Sequence, residues 1–139
     1  MLAENYLYDL GMAAMQQEQV PLELSHLFAD GLYGRILTVP DNTLVMTAIH
    51  KYENITIVLT GKCEVVNPDG ERTTIVAPAF FVTPARSERA VYVIEKTTWI
   101  TVHASNSKTV EDAEMELAEL PAFFQDVIEQ QKQESLKCH

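Results

Sequence analysis

Residues 49–61, I-H-K-Y-E-N-I-T-I-V-L-T-G, decide how this chain is read. They set His50, Lys51, Tyr52 and Asn54 at the joint between two apolar runs, 43–49 and 55–59, and Gly61 closes the second run. Both runs are rich in Val, Ile and Thr, whose branched Cβ atoms suit the pleated, half-buried surface of a strand. Polar side chains at a corner between strands, carried on a barrel wall, are how an all-β protein lines the mouth of a pocket.

Outward from this corner the same pattern repeats. Strands are predicted over 34–39, 43–49, 54–60, 62–67, 72–76, 80–83, 89–94 and 97–104. Turn chemistry separates them: P-D-N at 40–42, N-P-D-G at 67–70, Pro78, Pro84, and E-K at 95–96. N-P-D-G between two strand runs is a hairpin signal. Eight short strands at this spacing predict a sandwich or small barrel, and nothing alternates as βαβ.

The flanks read differently. Leu2, Tyr6, Leu10 and Ala13 recur at helical spacing and predict a helix over 2–18, which Pro21 ends. Residues 22–33 read as an irregular lead-in with Asp30-Gly31 as its turn. After Ala104 come a polar linker at 106–109, an acidic helix over 110–120, a break at Pro121 and a second helix over 122–136. The expected organisation is therefore an N-terminal helix and lead-in (1–30), a β-barrel (31–104) and a C-terminal helical segment (105–139). Apolar helical stripes on either side of a small barrel predict a homo-oligomer, most simply a two-fold dimer joined through those helices.

The 139 residues carry a net charge of −10, yet residues 31–104 hold seven bases and seven acids. All the excess acid lies in the flanks. Such a chain does not hold nucleic acid polymers by bulk charge, although a neutral middle can gather a local cluster around a small anion. No apolar run approaches membrane-spanning length, and the acidic N-terminus lacks the basic region of a signal peptide. Cys63 and Cys138 give neither a disulfide framework nor zinc spacing, and the expected setting is a reducing cytoplasm. Cys63 has no sequence-local base and reads as buried and inert. Phosphate-binding glycine loops, nucleophile elbows and C-x-x-C pairs are absent from the sequence.

Residues 31–104 resemble the cupins, small jelly-roll barrels with a double-stranded β-helix and a pocket. A-I-H-K-Y-E-N-I-T-I-V-L-T-G resembles the first cupin motif from its HxH onward, and P-A-F-F-V-T-P-A-R-S-E-R-A-V-Y-V resembles the second. More narrowly, F-A-D-G-L-Y, A-I-H-K-Y-E-N, V-T-P-A-R-S-E-R-A-V-Y and T-T-W-I-T-V-H resemble small cupin-like proteins common in bacteriophage genomes. Those proteins tend to carry a glycine where Arg86 stands. The four metal-ligand positions of the motifs fall on Ala48, His50, Asn54 and Arg89, so three of the four are non-ligands or poor ones. Glu53 or His103 could assist His50. The resemblance thus implies a barrel without a catalytic metal and without another cofactor.

The expected function is to bind a small anion such as a nucleotide, cyclic nucleotide or sugar phosphate. If the phage resemblance extends to function, the barrel sequesters a host signal in the host cytoplasm. The candidate ligand-binding residues are His50, Lys51, Tyr52, Asn54, Arg86, Arg89, Tyr92, Trp99 and His103. Arg89, His50 and Lys51 suit a phosphate, and Trp99 or Tyr92 suits stacking. Trp99, Thr101 and His103 share one strand face, so they form one wall if that face is internal. Against these stand plainer roles: a salt bridge of Arg89 to Glu53 or Glu95, Arg86 at the rim, and core packing for Trp99. Two other functions remain open, a metal-free epimerase or isomerase with His50 as base and Tyr92 as acid, and an assembly protein without ligand.

Overall fold

The computed structural model describes residues 6–137, with side chains to residue 135. Helix α1 (Tyr6–Met15) leads into strands β1 (Glu23–Ala29), β2 (Leu32–Val39), β3 (Thr43–Met46), β4 (Ile49–His50), β5 (Asn54–Val66), β6 (Arg72–Val76), β7 (Ala79–Thr83) and β8 (Ala90–Ala104). Helix α2 (Val110–Leu117), strand β9 (Ala118–Glu119) and helix α3 (Ala122–Lys137) follow. Leu2 and Ala3 of the predicted first helix, and Cys138, lie outside the described residues.

Two long strands hold the architecture together. β5 and β8 pair with each other along most of their length, and each carries two different strands on its far edge. β7 pairs with the first part of β5 and β6 with the second, while β3 pairs with the first part of β8 and β2 with the second. The result is two half-sheets, β1-β2-β8-β5-β7 and β3-β8-β5-β6, joined through the middle of β5 and β8. Thr56, Val58, Trp99 and Thr101 of one half surround a common cavity with Cys63, Val65, Ile75 and Val91 of the other, so the halves fold face to face. This is a mainly β jelly-roll, as the strand pattern predicts.

The fold hinges on Gly61. The β5–β8 register shifts between Val58 and Cys63, and Gly61 there has φ +96°. Before this bulge even-numbered residues of β5 (Thr56, Val58) face inward; after it odd-numbered ones (Cys63, Val65) do. One extra residue thus keeps apolar side chains inside while the sheet turns.

The structure corrects several sequence boundaries. The strands expected at 54–60 and 62–67 are one strand, as are those at 89–94 and 97–104. The lead-in contains a regular strand, β1, paired with β2 from Glu23↔Thr38 to Ala29↔Leu32. Its backbone groups find partners along β2, which composition alone does not reveal. The acidic helix ends at Leu117 because Ala118 turns to extended backbone and pairs in β9 with β4. Thr109 caps its start by accepting from the Asp112 amide at 3.2 Å.

Three clusters bury the apolar residues. Val39, Cys63, Val65, Val91 and Val93 fill the barrel floor. α1 packs Leu7 on Val66 and Ala90, with Tyr6, Leu10, Leu44 and Met46 around them. α2 packs Ala113 and Leu117 on Tyr33, the register partner of His103. The helices also meet each other: a Cβ on Gly11 of α1 would lie 2.4 Å from the Phe123 ring of α3. The helical stripes are therefore used within the chain.

Candidate functional site

His50 sits where three segments converge. β4 holds it opposite Ala118 of β9, and on its other side it bridges to Ser87. Its carbonyl accepts the Arg86 amide at 2.7 Å. Arg86 adopts φ +65°, the left-handed region that favours glycine. Next to this corner the Thr47 amide and hydroxyl both donate to the Arg89 carbonyl, at 3.2 and 2.8 Å. The joint between apolar runs is thus a backbone clamp that aims His50 and Arg89 inward.

They face two adjacent pockets, an inner and an outer lobe, that share part of their walls. The inner lobe, about 70 Å³, is lined by Thr56, Val58, Phe81, Thr83, Ser87 and Arg89 above the apolar floor. The outer lobe, about 280 Å³, is lined by Leu24, Arg35, Leu37, Val45, Met46 and Ala118 among others. Thr47, His50, Trp99 and Thr101 belong to both. Each lobe therefore has one guanidinium. Neither Arg35 nor Arg89 has a side-chain hydrogen bond or carboxylate partner among the described residues.

His103 stacks on His50, with ring centroids 5.1 Å apart and planes inclined by 29°. Both ring nitrogens of His103 and Nδ1 of His50 are buried without a hydrogen-bond partner. Burial first, then His103, Arg35 and Arg89, holds the His50 imidazole down at about 4. Burial and Arg35 also lower His103, against a smaller opposing pull from Glu116. Desolvation penalises the charged form, and like-charge repulsion adds to it, from Arg35 and Arg89 at His50 and from Arg35 at His103, so both rings are neutral at pH 7.

A stability prediction arises here. Unfolded histidine titrates near 6.5, so between that value and about 4 the unfolded state binds the proton that His50 refuses. Stability is therefore lost as pH falls through this window, by up to about 3 kcal/mol from His50. Urea unfolding of wild type and His50→Gln at several pH values should show the wild type losing more on acidification. Parallel profiles would contradict this placement of His50.

The other candidate residues are distributed unevenly. Of the three residues expected to form one wall, Trp99 and Thr101 line the cavity, whereas His103 lies behind His50 and lines neither lobe. Lys51 is tied elsewhere: its ammonium donates to the Met115 carbonyl at 3.0 Å and its amide to Leu117 at 2.8 Å, both near the C-terminus of α2. Asn54 is buried and bonds locally to the Tyr52 carbonyl and the Thr56 hydroxyl, while Tyr52 is exposed. Arg86 is exposed and pairs with Glu119 at 2.6 Å. Tyr92 points outward, donating to Asn42 Oδ1 at 3.2 Å. It cannot serve as an acid opposite His50, because inward residues of β8 are odd-numbered (91, 93, 99, 101, 103). Arg89 has no partner in Glu53 or Glu95. Arg35, Thr56, Thr83 and Phe81 are wall residues that the sequence reading passed over.

The motifs that this corner resembles carry metal-ligand positions, and the residues standing there, Ala48, His50, Asn54 and Arg89, do not fit a metal. A divalent ion needs three or four converging N, O or S donors. Among the described residues no group of three His, Cys, Asp or Glu is so placed. His50 lies instead in the field of Arg35 and Arg89, and His103 in that of Arg35. No helix among the described residues is long and apolar enough to cross a membrane.

Comparison with known proteins supports the fold. No protein-family model matches the chain, and no curated protein matches it. Among solved structures, a cupin superfamily protein from Desulfitobacterium hafniense aligns with a TM-score of 0.54 and 14% identity, over 67% of this chain and 87% of that one. KdgF from Halomonas sp. aligns at 0.53 and 16% identity, over 66% and 87%. Ectoine synthase from P. lautus aligns at 0.57 and 11% identity, over 76% and 81%. At these identities the likeness is one of fold: the chain is built as a cupin barrel.

Proposed function

We propose that this barrel binds a small organic anion without a metal, its anionic group held by Arg89 and Arg35 and its remainder against Trp99. One observation carries this reading. Two guanidiniums without carboxylate partners enter a cavity whose other polar walls (His50, Thr47, Thr56, Thr83, Ser87, Thr101) are all neutral. A half-buried cation without a counter-ion is costly, and a bound anion relieves that cost. Arginine suits the task because its planar fork meets carboxylate or phosphate with paired hydrogen bonds.

The lobes divide the ligand. The inner one has room for little more than an anionic headgroup, and the outer one for a ring or sugar beside Trp99. A nucleotide, cyclic nucleotide or sugar phosphate has this shape, and the low cavity volume argues against anything larger. The likeness to phage proteins adds a version in which a host nucleotide signal is sequestered.

The test is incubation with a panel of mono-, di- and cyclic nucleotides, sugar phosphates and sugar nucleotides, followed by calorimetry and recovery of the ligand after heat denaturation. Binding of at least one member, recovered intact, is expected. Recovery in altered form, abolished in His50→Ala, would make the protein an enzyme with His50 as base and an acid other than Tyr92. If nothing binds, the assembly role takes precedence.

A further inference from the structure

The walls of the two lobes are rich in hydrogen-bond donors and poor in acceptors. Among the described residues, neither lobe is lined by an Asp, Glu, Asn or Gln side chain. The inner hydroxyls are largely committed to the fold. Thr47 donates to the Arg89 carbonyl at 2.8 Å, Ser87 donates to the Pro84 carbonyl at 2.6 Å, and Thr56 and Thr83 bond each other at 2.7 Å. Apart from the four residues that both lobes share, Arg35 is the only polar side chain lining the outer lobe among the described residues. Leu22, Leu24, Leu37, Val45 and Met46 make most of the remainder. Guanidinium and indole N–H groups donate and cannot accept.

We propose that the anion this barrel binds has an apolar body: an aryl or branched alkyl group seated against Trp99 and the aliphatic outer wall, carrying one carboxylate or phosphate ester towards the arginines. This rests on the anion-binding role proposed for the cavity and narrows the ligand within it. Nucleotides and sugar phosphates fit by size and charge, but their bodies bring hydroxyl and amino donors into a wall that offers little to accept them. His50 and Thr101 can accept, yet both stand where the lobes meet, and a neutral imidazole takes one donor only. Each buried donor left without an acceptor lowers affinity about 5- to 100-fold. A hydrocarbon body brings no such donor, and its burial against leucine, valine and methionine is favourable in itself. The acidic group supplies the acceptors that Arg35 and Arg89 lack, so donors and acceptors balance across the complex.

The experiment is isothermal calorimetry on the full chain, supported by the fluorescence of Trp99, its only tryptophan. The probes are phenylacetate, phenyl phosphate and isovalerate, then a hexose phosphate and adenosine monophosphate, and finally the neutral phenylethanol. At least one of the three apolar-bodied acids should bind about 10-fold or more tightly than either hydroxyl-rich phosphate. Leu24→Asn, at the exposed rim of the outer lobe, removes apolar surface and adds an acceptor, and should shrink that ratio about 10-fold. Val76→Asn, exposed on β6 and lining neither lobe, should leave the ratio unchanged. A hexose phosphate or nucleotide that binds as tightly as the apolar acids overturns the proposal and leaves the anion-binding role standing. A ratio indifferent to Leu24→Asn also overturns it. Phenylethanol binding as tightly as phenylacetate, or no binding by any of the acids, removes the anion-binding role itself, and the proposal falls with it.

Discussion

Gly61→Ala should lower the melting temperature by about 10–20 °C, the largest stability effect expected of any single methyl group in this chain. Two penalties combine at this position. The residue holds φ +96°, where an L side chain costs roughly 1–2 kcal/mol. The added Cβ would also lie 2.3 Å from the Lys96 carbonyl oxygen and 2.7 Å from the Thr97 Cα. Both are backbone atoms of β8, so no rotamer relieves the clash. Thr97 is fully buried and its hydroxyl donates to the Glu95 carbonyl at 2.6 Å, which fixes that segment further. Together the terms reach about 3–5 kcal/mol, a large share of a domain's total stability. Gly31→Ala is the control. Its φ is +75° but nothing lies within 4 Å of the added atom, so only the conformational penalty applies. Thermal melting of both variants separates the causes: similar small shifts would mean that the bulge yields and that β5 and β8 are not locked at this point.

Gly61 also marks where sequence reading stops short. A glycine after an apolar run and an exposed Glu95-Lys96 pair both look like turn chemistry, so each long strand is read as two. What keeps them continuous is the pairing of β5 with β8, from Ile55↔Val102 to Val66↔Ala90, a contact between residues far apart in sequence that no local pattern encodes. The consequence reaches the site. In a single strand β8, Arg89 extends a series of odd positions shared by Val91, Val93, Trp99, Thr101 and His103, and Tyr92 falls on the opposite face. The shorter strand 89–94 already sets Tyr92 opposite Arg89; what splitting β8 hides is that the face of Arg89 is also that of Trp99, Thr101 and His103. His50, Arg89, Trp99 and His103 were legible because polar or aromatic types stand at inward positions of strand-like runs. Arg35 follows the same alternation, with Tyr33 and Leu37, but only its register partner Thr101 reveals that this face is internal. The partners of Lys51 and Arg86 are hidden from the sequence for a different reason. These partners, the end of α2 and Glu119, lie in the acidic flank, and sequence does not show that this flank folds over the corner.

Removing the two cavity arginines should have the largest effect on binding, without a parallel loss of stability. Charge-assisted hydrogen bonds contribute about 1.5–3 kcal/mol each, so Arg89→Ala should weaken anion binding about 10- to 100-fold. Arg35→Ala should do the same if the anion lies between the lobes. Arg89→Lys should recover only part, since an ammonium has no planar fork. The double variant distinguishes two arrangements. Losses that multiply mean that the arginines grip separate groups of the ligand; a double loss well below the product means that both grip one anionic group. The unliganded variants supply the other half of the argument. A guanidinium that lacks a partner carries a desolvation cost in the free protein, which its removal relieves. Arg35→Ala and Arg89→Ala should therefore melt at or above the wild-type temperature when no ligand is present. The difference should reverse when ligand is added, because only the wild type gains stability from binding. Affinity should also fall with added salt, less steeply than at an exposed surface because the site is partly enclosed. If either variant melts well below wild type without ligand, that arginine is bonded within the fold, and the anion must be sought elsewhere.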